Sequence, residues 1–189
     1  DGSTDNTYKI LKKYKIKIIQ HLLNIGQGGA LGTGLYYFLN SDEFDYVITF
    51  DADGQHIPKQ AYEMLDFAIK NNLLAVLGSR FLKKKSIRLI PKIKKIILIL
   101  ASFYEYLFFS IKFTDAHNGI RVLHKKIVRE HLFPLNNFDM NHATELSKKI
   151  SKSGLRHAEY PVDIIYKNKS SQSSLNSINF ALSNLFSSK

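Results

Sequence analysis

The chain has no cysteine and no tryptophan, only four prolines and two methionines in 189 residues, and 16 acidic side chains against 27 basic ones. The missing thiol excludes disulfide staples, a cysteine nucleophile, cysteine zinc sites and iron–sulfur clusters together. It also fits a reducing compartment. An uninterrupted run of about 20 apolar residues, which a membrane-crossing helix needs, is absent too. The longest candidate, Ile96 to Ile111, is sixteen residues long and carries Glu105 inside it. No secretory leader opens the chain: it begins on the polar turn Asp1-Gly2-Ser3-Thr4 without an initiator Met, which points to a fragment or a truncated reading frame. The apolar share of 44% excludes a disordered chain. The length suits one domain that buries roughly 70% of its unfolded surface.

The scarcity of acid leaves a formal net charge of +11, and the excess is localised. Lys83, Lys84, Lys85, Arg88, Lys92, Lys94 and Lys95 follow one another with no acid between them, directly ahead of the aromatic-rich run Ile96 to Ile111. Two readings fit: a buried helix with a solvated lysine collar, or a basic helix lying on an anionic membrane surface. Nucleic acid is not an expected partner, because the aromatics stand beside the lysines rather than between them, where bases would stack.

Along the chain, short apolar runs alternate with helical stretches. Ser3, Thr4 or Asp5 caps a helix over Tyr8–Tyr14, and Ile16–Gln20 reads as a strand. A glycine-rich loop from Asn24 leads into a helix over Ala30–Asn40, followed by a buried-type strand, Tyr46–Phe50. Pro58 opens a helix to about Asn71, Leu74–Leu77 is a strand, and Ile120–Leu123 is another. Helices follow over Lys125–His131 and His142–Ser153, then a strand pair over Leu155–Tyr166 bent at Pro161. Such alternation predicts an α/β domain with a mainly parallel, Rossmann-like sheet and flanking helices over residues 1–166. Residues 167–189 form a Ser/Asn-rich tail with a weak amphipathic helix over Leu175–Phe186.

Two polar clusters, Asp51–His56 and Gly78–Arg80, stand at the carboxyl ends of expected parallel strands, where open α/β sheets bind ligands. A third, Asp1-Gly2-Ser3, has no strand before it. Asp51 and Asp53, two residues apart, share one face of an ideal strand. With Gln55 continuing the spacing, they offer hard oxygen ligands for Mg²⁺ or Mn²⁺, phosphate completing the shell. The competing use of the same residues is an Asx-turn capping the next helix. An EF-hand loop is excluded, since the glycine falls too early and no glutamate stands at position twelve.

The strings DGSTDNT, NIGQGGALGTGL, DADGQHIP and GSRF, in this order and spacing, resemble glycosyltransferase family 2, in the branch of dolichyl- and polyprenyl-phosphate sugar transferases. The stretch from Thr114 to Arg121 resembles that branch's D-x-x-x-G-[FIL]-R element, and Gly154–Val162 its closing strand pair. The resemblance implies a GT-A fold and an inverting, Mg²⁺- or Mn²⁺-dependent transfer of a sugar from a nucleotide-diphosphate donor. It implies that Asp51, Asp53 and Gln55 hold the metal, with Asp53 counted among the catalytic residues. Asp1, Gly2 and Ser3 then belong to the nucleotide-binding turn, and Arg80 and Arg121 clamp phosphate.

A polyprenyl-phosphate acceptor, already an anion, needs no strong base. A glycan hydroxyl needs one, with Glu145 and Asp115 as the candidates, although either can equally be a capping or surface carboxylate. The resemblance further implies action at the cytoplasmic membrane face, in lipid-linked or cell-surface glycan assembly; the family's C-terminal membrane spans are absent, so the attachment is expected to be peripheral. The sequence departs from the family pattern in lacking the first βαβ elements ahead of Asp1 and in carrying Gln27 where relatives often have Lys or Arg. Two rival readings are a nucleotidyltransferase and a non-catalytic fragment that binds a membrane or a partner.

Overall fold

The computed structural model describes residues 1–109, 111–139 and 141–166, so the weak helix expected over Leu175–Phe186 lies outside the described residues. Four strands, β1 (Tyr46–Thr49), β2 (Ala75–Ser79), β3 (Arg121–His124) and β4 (His157–Pro161), form a sheet in the order β1-β3-β2-β4. Seven helices accompany them among the described residues: α1 (Thr7–Leu11), α2 (Gln27–Leu39), α3 (Pro58–Lys70), α4 (Lys84–Leu89), α5 (Lys92–Phe109), α6 (Lys125–Ile127) and α7 (His142–Lys152), with α6 running on into a π-helical turn, Val128–Leu132.

The α/β class expected from the alternation holds, but the sheet is mixed. β4 pairs parallel with β2, whereas β3 pairs antiparallel with both β1 and β2. The cause lies in the connection. The chain leaves β2 through α4 and α5 and returns to a turn beside the carboxyl end of β2, where Ser79 Oγ lies 2.6 Å from Thr114 Oγ1. β3 therefore starts where β2 stops and runs back between β1 and β2.

Alternation along the strands sorts the core into two layers. Ala75, Leu77 and Leu123 point to one side, where Leu35 and Phe38 of α2, Ile127 of α6 and Leu146 and Ile150 of α7 pack. Val76 and Val122 point to the other, against Ala61, Met64 and Ala68 of α3. Every residue of β2 is buried, as expected for a strand covered by helices on both faces.

Ile16–Gln20 forms no strand. Ile16 and Ile19 are exposed, and without a neighbouring ladder an apolar run gains nothing from extended pairing. The expected pair over Leu155–Tyr166 reduces to β4, followed after Pro161 by a single antiparallel bridge between His56 and Ile164. That bridge, with Ile165 N donating to Gln55 O at 2.9 Å, pins the loop after β1.

The helix expected behind the lysines is α5, and it has two unlike sides. Ile93, Ile96, Ile99, Leu100, Phe103, Tyr106, Leu107 and Phe108 are exposed, while Lys94, Leu98, Ala101, Ser102 and Glu105 turn inward at helical spacing. No helix among the described residues is long and apolar enough to cross a membrane.

Candidate active site

The polar clusters converge at one end of the sheet. The loop after β1 brings Asp51, Asp53, Gln55 and His56, the end of β2 brings Arg80, and the turn before β3 brings Asp115 to Arg121. The start of α2 adds Gln27, the start of α7 adds His142 and Glu145, and the inner side of α5 adds Lys94 and Glu105.

Asp51 is seated from several directions. Its carboxylate lies directly over Gly119, where a Cβ would fall 2.0 Å from Oδ2; only glycine permits that approach. Gln27 Nε2 donates to Oδ1 at 3.2 Å, and His56 Nε2 stands 3.4 Å from Oδ2. The His56 hydrogen bond holds the Asp51 carboxyl below its ordinary value against the opposing effect of burial, with Arg121 and His142 adding to the depression. Asp53 is exposed and turned onto its own loop, accepting from Gln55 N at 2.9 Å and Gln55 Nε2 at 2.5 Å. This leaves the Gln55 amide oxygen outside that contact.

Among the described residues no group of three or more His, Cys, Asp or Glu side chains is placed to hold a metal ion. Two carboxylates and an amide oxygen fit instead a hard cation that takes one or two protein carboxylates and completes its shell with phosphate and water.

Behind Asp51 lies Arg121, 1% exposed. Its Nη2 donates to Ala116 O at 2.9 Å, while its Nε has no partner. Burial pushes this guanidinium down to about 10, opposed by the charges of Asp51, Asp115 and Glu105. Arg80 is also buried and grips Asp115, itself 2% exposed, in a fork: Nε to Oδ2 at 2.6 Å and Nη2 to Oδ1 at 2.5 Å, with the Arg80 backbone N–H on Oδ2 at 3.0 Å. Burial alone would lower Arg80, but this fork overrides it and holds the guanidinium above its ordinary value. Breaking such a pair from one side strands a buried charge, at a cost of about 3–5 kcal/mol. Glu159 fixes the same turn, its Oε1 accepting from Thr114 N and Oγ1, both at 2.8 Å, and from Asp115 N at 3.3 Å.

Glu145, 9% exposed, is similarly engaged. It accepts from the backbone and side-chain N–H groups of Asn136 and Asn137 at 2.7–3.1 Å and from Lys149 Nζ at 2.7 Å. Burial opposes ionisation, yet Lys149 and the asparagine donors bring its carboxyl down to about 2. It thereby fastens the loop that lies on the start of α2, where Gly28 N donates to Phe138 O at 2.8 Å.

Asp1 organises the approach to α2. It accepts from Ile25 N and Gly26 N, each at 3.0 Å, and lies 2.9 Å from His21 Nδ1. Gly2 N donates to His21 O, and Ser3 lines a cavity of about 50 Å³ with Asp1 and Tyr8. A larger cavity of about 500 Å³, lined by Lys112, Phe113, Lys152, His157 and Glu159, shares with the site only Glu159.

His56, Gly119 and Glu159 stand inside the motifs that the sequence offers, and Glu105 and Lys94 inside the basic-aromatic stretch, but none of the five is among the expected site residues. His56 ends the D-A-D-G-Q-H string, and Glu105 is the one acid between Lys83 and Ile111, so both carried a readable signal. In the sequence Lys94 is only one member of a charge run. Its Nζ lies 5.1 Å from the centre of the Tyr166 ring, and burial, then Arg80, lowers it against the pull of Asp115 and Asp53.

The depressed Glu145 carboxyl gives a signed pH dependence. Its stabilisation is full above the ordinary value of 4.5 and is lost as pH falls toward about 2. Glu145→Gln is expected to remove roughly 2 kcal/mol of the stability that the wild type loses between about pH 6 and about pH 3, measured by urea denaturation at each pH. Equal losses in the two proteins would contradict this role.

The description "Glycosyl transferase family 2" matches residues 1–132. Among curated proteins, an uncharacterized protein of Methanocaldococcus jannaschii is 32% identical over 88% of this chain and 68% of its own length. The UDP-N-acetylglucosamine–dolichyl-phosphate N-acetylglucosaminyltransferase of Methanococcus voltae is 32% identical over 88% of this chain and 72% of its own. Among solved structures, glucosyl-3-phosphoglycerate synthase from Mycobacterium tuberculosis bound to phosphoglyceric acid superposes with a TM-score of 0.60 at 15% identity, over 96% of this chain and 65% of that one. The same enzyme with Mn²⁺, uridine-diphosphate-glucose and glycerol 3-phosphate gives 0.55 at 13% identity, over 98% and 65%. The likeness to these structures shows the fold, GT-A, and the sequence match shows the rest: the chain belongs to glycosyl transferase family 2 and is a glycosyltransferase domain.

Proposed function

We propose that residues 1–166 form a metal-dependent, inverting transferase domain that moves a sugar from a uridine-diphosphate donor to a polyprenyl phosphate at a membrane surface. The observation that carries the choice of acceptor is the state of the two carboxylates suited to proton abstraction. Asp115 is forked onto Arg80, and Glu145 is held by Lys149 and two asparagines. A hydroxyl acceptor needs a free base, whereas a phosphate oxygen is already a nucleophile. The Methanococcus voltae relative is named as a dolichyl-phosphate transferase, which supports the same reading.

In this reading Asp51, Asp53 and Gln55 hold Mg²⁺ or Mn²⁺, which supplies positive charge against the donor diphosphate as the glycosidic bond weakens. Asp1, Gly2 and Ser3 shape the nucleotide side. Arg80 and Arg121 act as fixed positive charges behind the diphosphate rather than as free forks, since their donors are engaged or buried. Lys94, half-buried beside Arg80 and Asp115, is the cation left to meet a phosphate. An acceptor phosphate oxygen then attacks the anomeric carbon from the face opposite the departing diphosphate. One carbon–oxygen bond forms as the other breaks, with inversion.

The outer side of α5 and the lysines of α4 favour membrane docking over the lysine-collared buried helix. Eight large apolar side chains of α5 are exposed, and Lys83, Lys84, Lys85, Arg88 and Lys92 flank them without an acid. This arrangement suits a peripheral position at the inner face of the membrane.

Two measurements test the reading. Calorimetric titration of UDP into the chain is expected to give binding with Mn²⁺, none with EDTA and none for Asp53→Ala. Metal-independent binding would contradict the assignment. Pelleting with anionic liposomes is expected to carry the chain down at low salt, and replacing Lys83–Lys85, Lys92 and Lys95 with Ser is expected to weaken binding by about two orders of magnitude or more, at up to about 1 kcal/mol for each of the five cations. Unchanged pelleting would remove the electrostatic part.

A further inference from the structure

Glu105 has no role in that chemistry, and its surroundings are unusual. It is 3% exposed in the middle of a helix whose neighbouring residues Phe103, Tyr106, Leu107 and Phe108 face outward. Thr144 Oγ1 of α7 donates to its Oε1 at 2.7 Å, and His117 Nε2 lies 3.3 Å from the same oxygen without the alignment of a hydrogen bond. Glu105 Oε2 has no partner. Buried polar atoms are seldom left so, yet among the described residues three are: this oxygen, His117 Nε2 and Arg121 Nε. They belong to one neighbourhood. Arg121 Nη2 and Ser147 Oγ both donate to Ala116 O, the residue next to His117, and Ser147 stands one helical turn after Thr144.

A buried guanidinium needs a counter-charge. Three carboxylates bear on Arg121: Asp51, Asp115 and Glu105. Asp115 is already neutralised by the Arg80 fork. Asp51 is the residue that must turn to a cation if the proposed function holds. Once it does, Glu105 is the remaining carboxylate that balances Arg121. We propose that Glu105 is a positioning residue, the dedicated counter-charge of Arg121, and that it frees Asp51 to bind the metal.

The inference rests on the metal-dependent reading above and assigns Glu105 no contact with substrate. Without the Glu105 charge, Arg121 would hold Asp51 more tightly and leave the site more positive. Both effects weaken cation binding.

The test is a manganese titration of the full chain in the presence of UDP, with free Mn²⁺ followed by electron paramagnetic resonance and apo-protein melting recorded in parallel. Glu105→Gln is expected to weaken Mn²⁺ roughly three- to tenfold, less than the loss of a charge in direct contact would give, because Glu105 acts through Arg121. Glu105→Asp keeps the charge and shortens the reach, so it is expected to hold Mn²⁺ within about twofold of the wild type even where its melting temperature falls. A wild-type affinity in a folded Glu105→Gln protein would overturn the inference. Equal weakening in both variants would also overturn it, by reducing Glu105 to a structural part. Absence of Mn²⁺ binding by the wild type would instead overturn the functional reading beneath it.

Discussion

The structure depends on a positive charge that water does not reach. Arg121 opens β3 at 1% exposure, its Nη2 on Ala116 O and its charge facing Asp51, Asp115 and Glu105. Desolvating a guanidinium is costly, so such a residue persists only where carboxylates surround it. That requirement draws together elements remote in the chain: the loop after β1, the turn before β3, and α5. The reversed insertion of β3 between β1 and β2 delivers Arg121 to this place, and Gly119, two residues earlier, makes room for the Asp51 carboxylate. Fold and site are set by the same short segment.

From this constraint the site divides its labour. Charges that must not move are paired and buried: Arg80 with Asp115, Glu145 with Lys149 and the Asn136–Asn137 loop. The groups proposed to meet the metal and the diphosphate, Asp53 and Gln55 on their loop and the partly exposed Asp51, are left nearer solvent. α5 joins the two zones, with an inward polar stripe over the turn before β3 and an outward apolar face beside a basic collar. Under the proposed function, these two faces set the membrane and the site on one element.

Much of this was legible in the sequence, for physical reasons. Short apolar runs ending in Asp51-Ala52-Asp53 and Gly78-Ser79-Arg80 mark strands whose carboxyl ends carry ligands, and these clusters do meet. The helices from Gln27, Pro58 and His142 follow local periodicity and a proline start, and they lie within a few residues of their expected limits. What stayed hidden is pairing across distance. Nothing local says that Arg80 and Asp115, 35 residues apart, close on each other, or that Glu145 serves the Asn136–Asn137 loop. The direction of β3 was hidden too, because apolar alternation reports burial and not strand sense. Ile16–Gln20 has the composition of a strand but lacks the neighbour that makes one.

The proposed metal site requires the turn before β3 to hold the Asp51 carboxylate ready for a cation. Gly119→Ala tests it most directly, since the new methyl would occupy a position 2.0 Å from Asp51 Oδ2 while Arg80, Asp115 and Arg121 keep their identities. Mn²⁺-dependent UDP binding by calorimetry is predicted to be lost in this variant, with the melting temperature lowered only modestly. A folded Gly119→Ala protein that binds UDP and Mn²⁺ as the wild type does would contradict it.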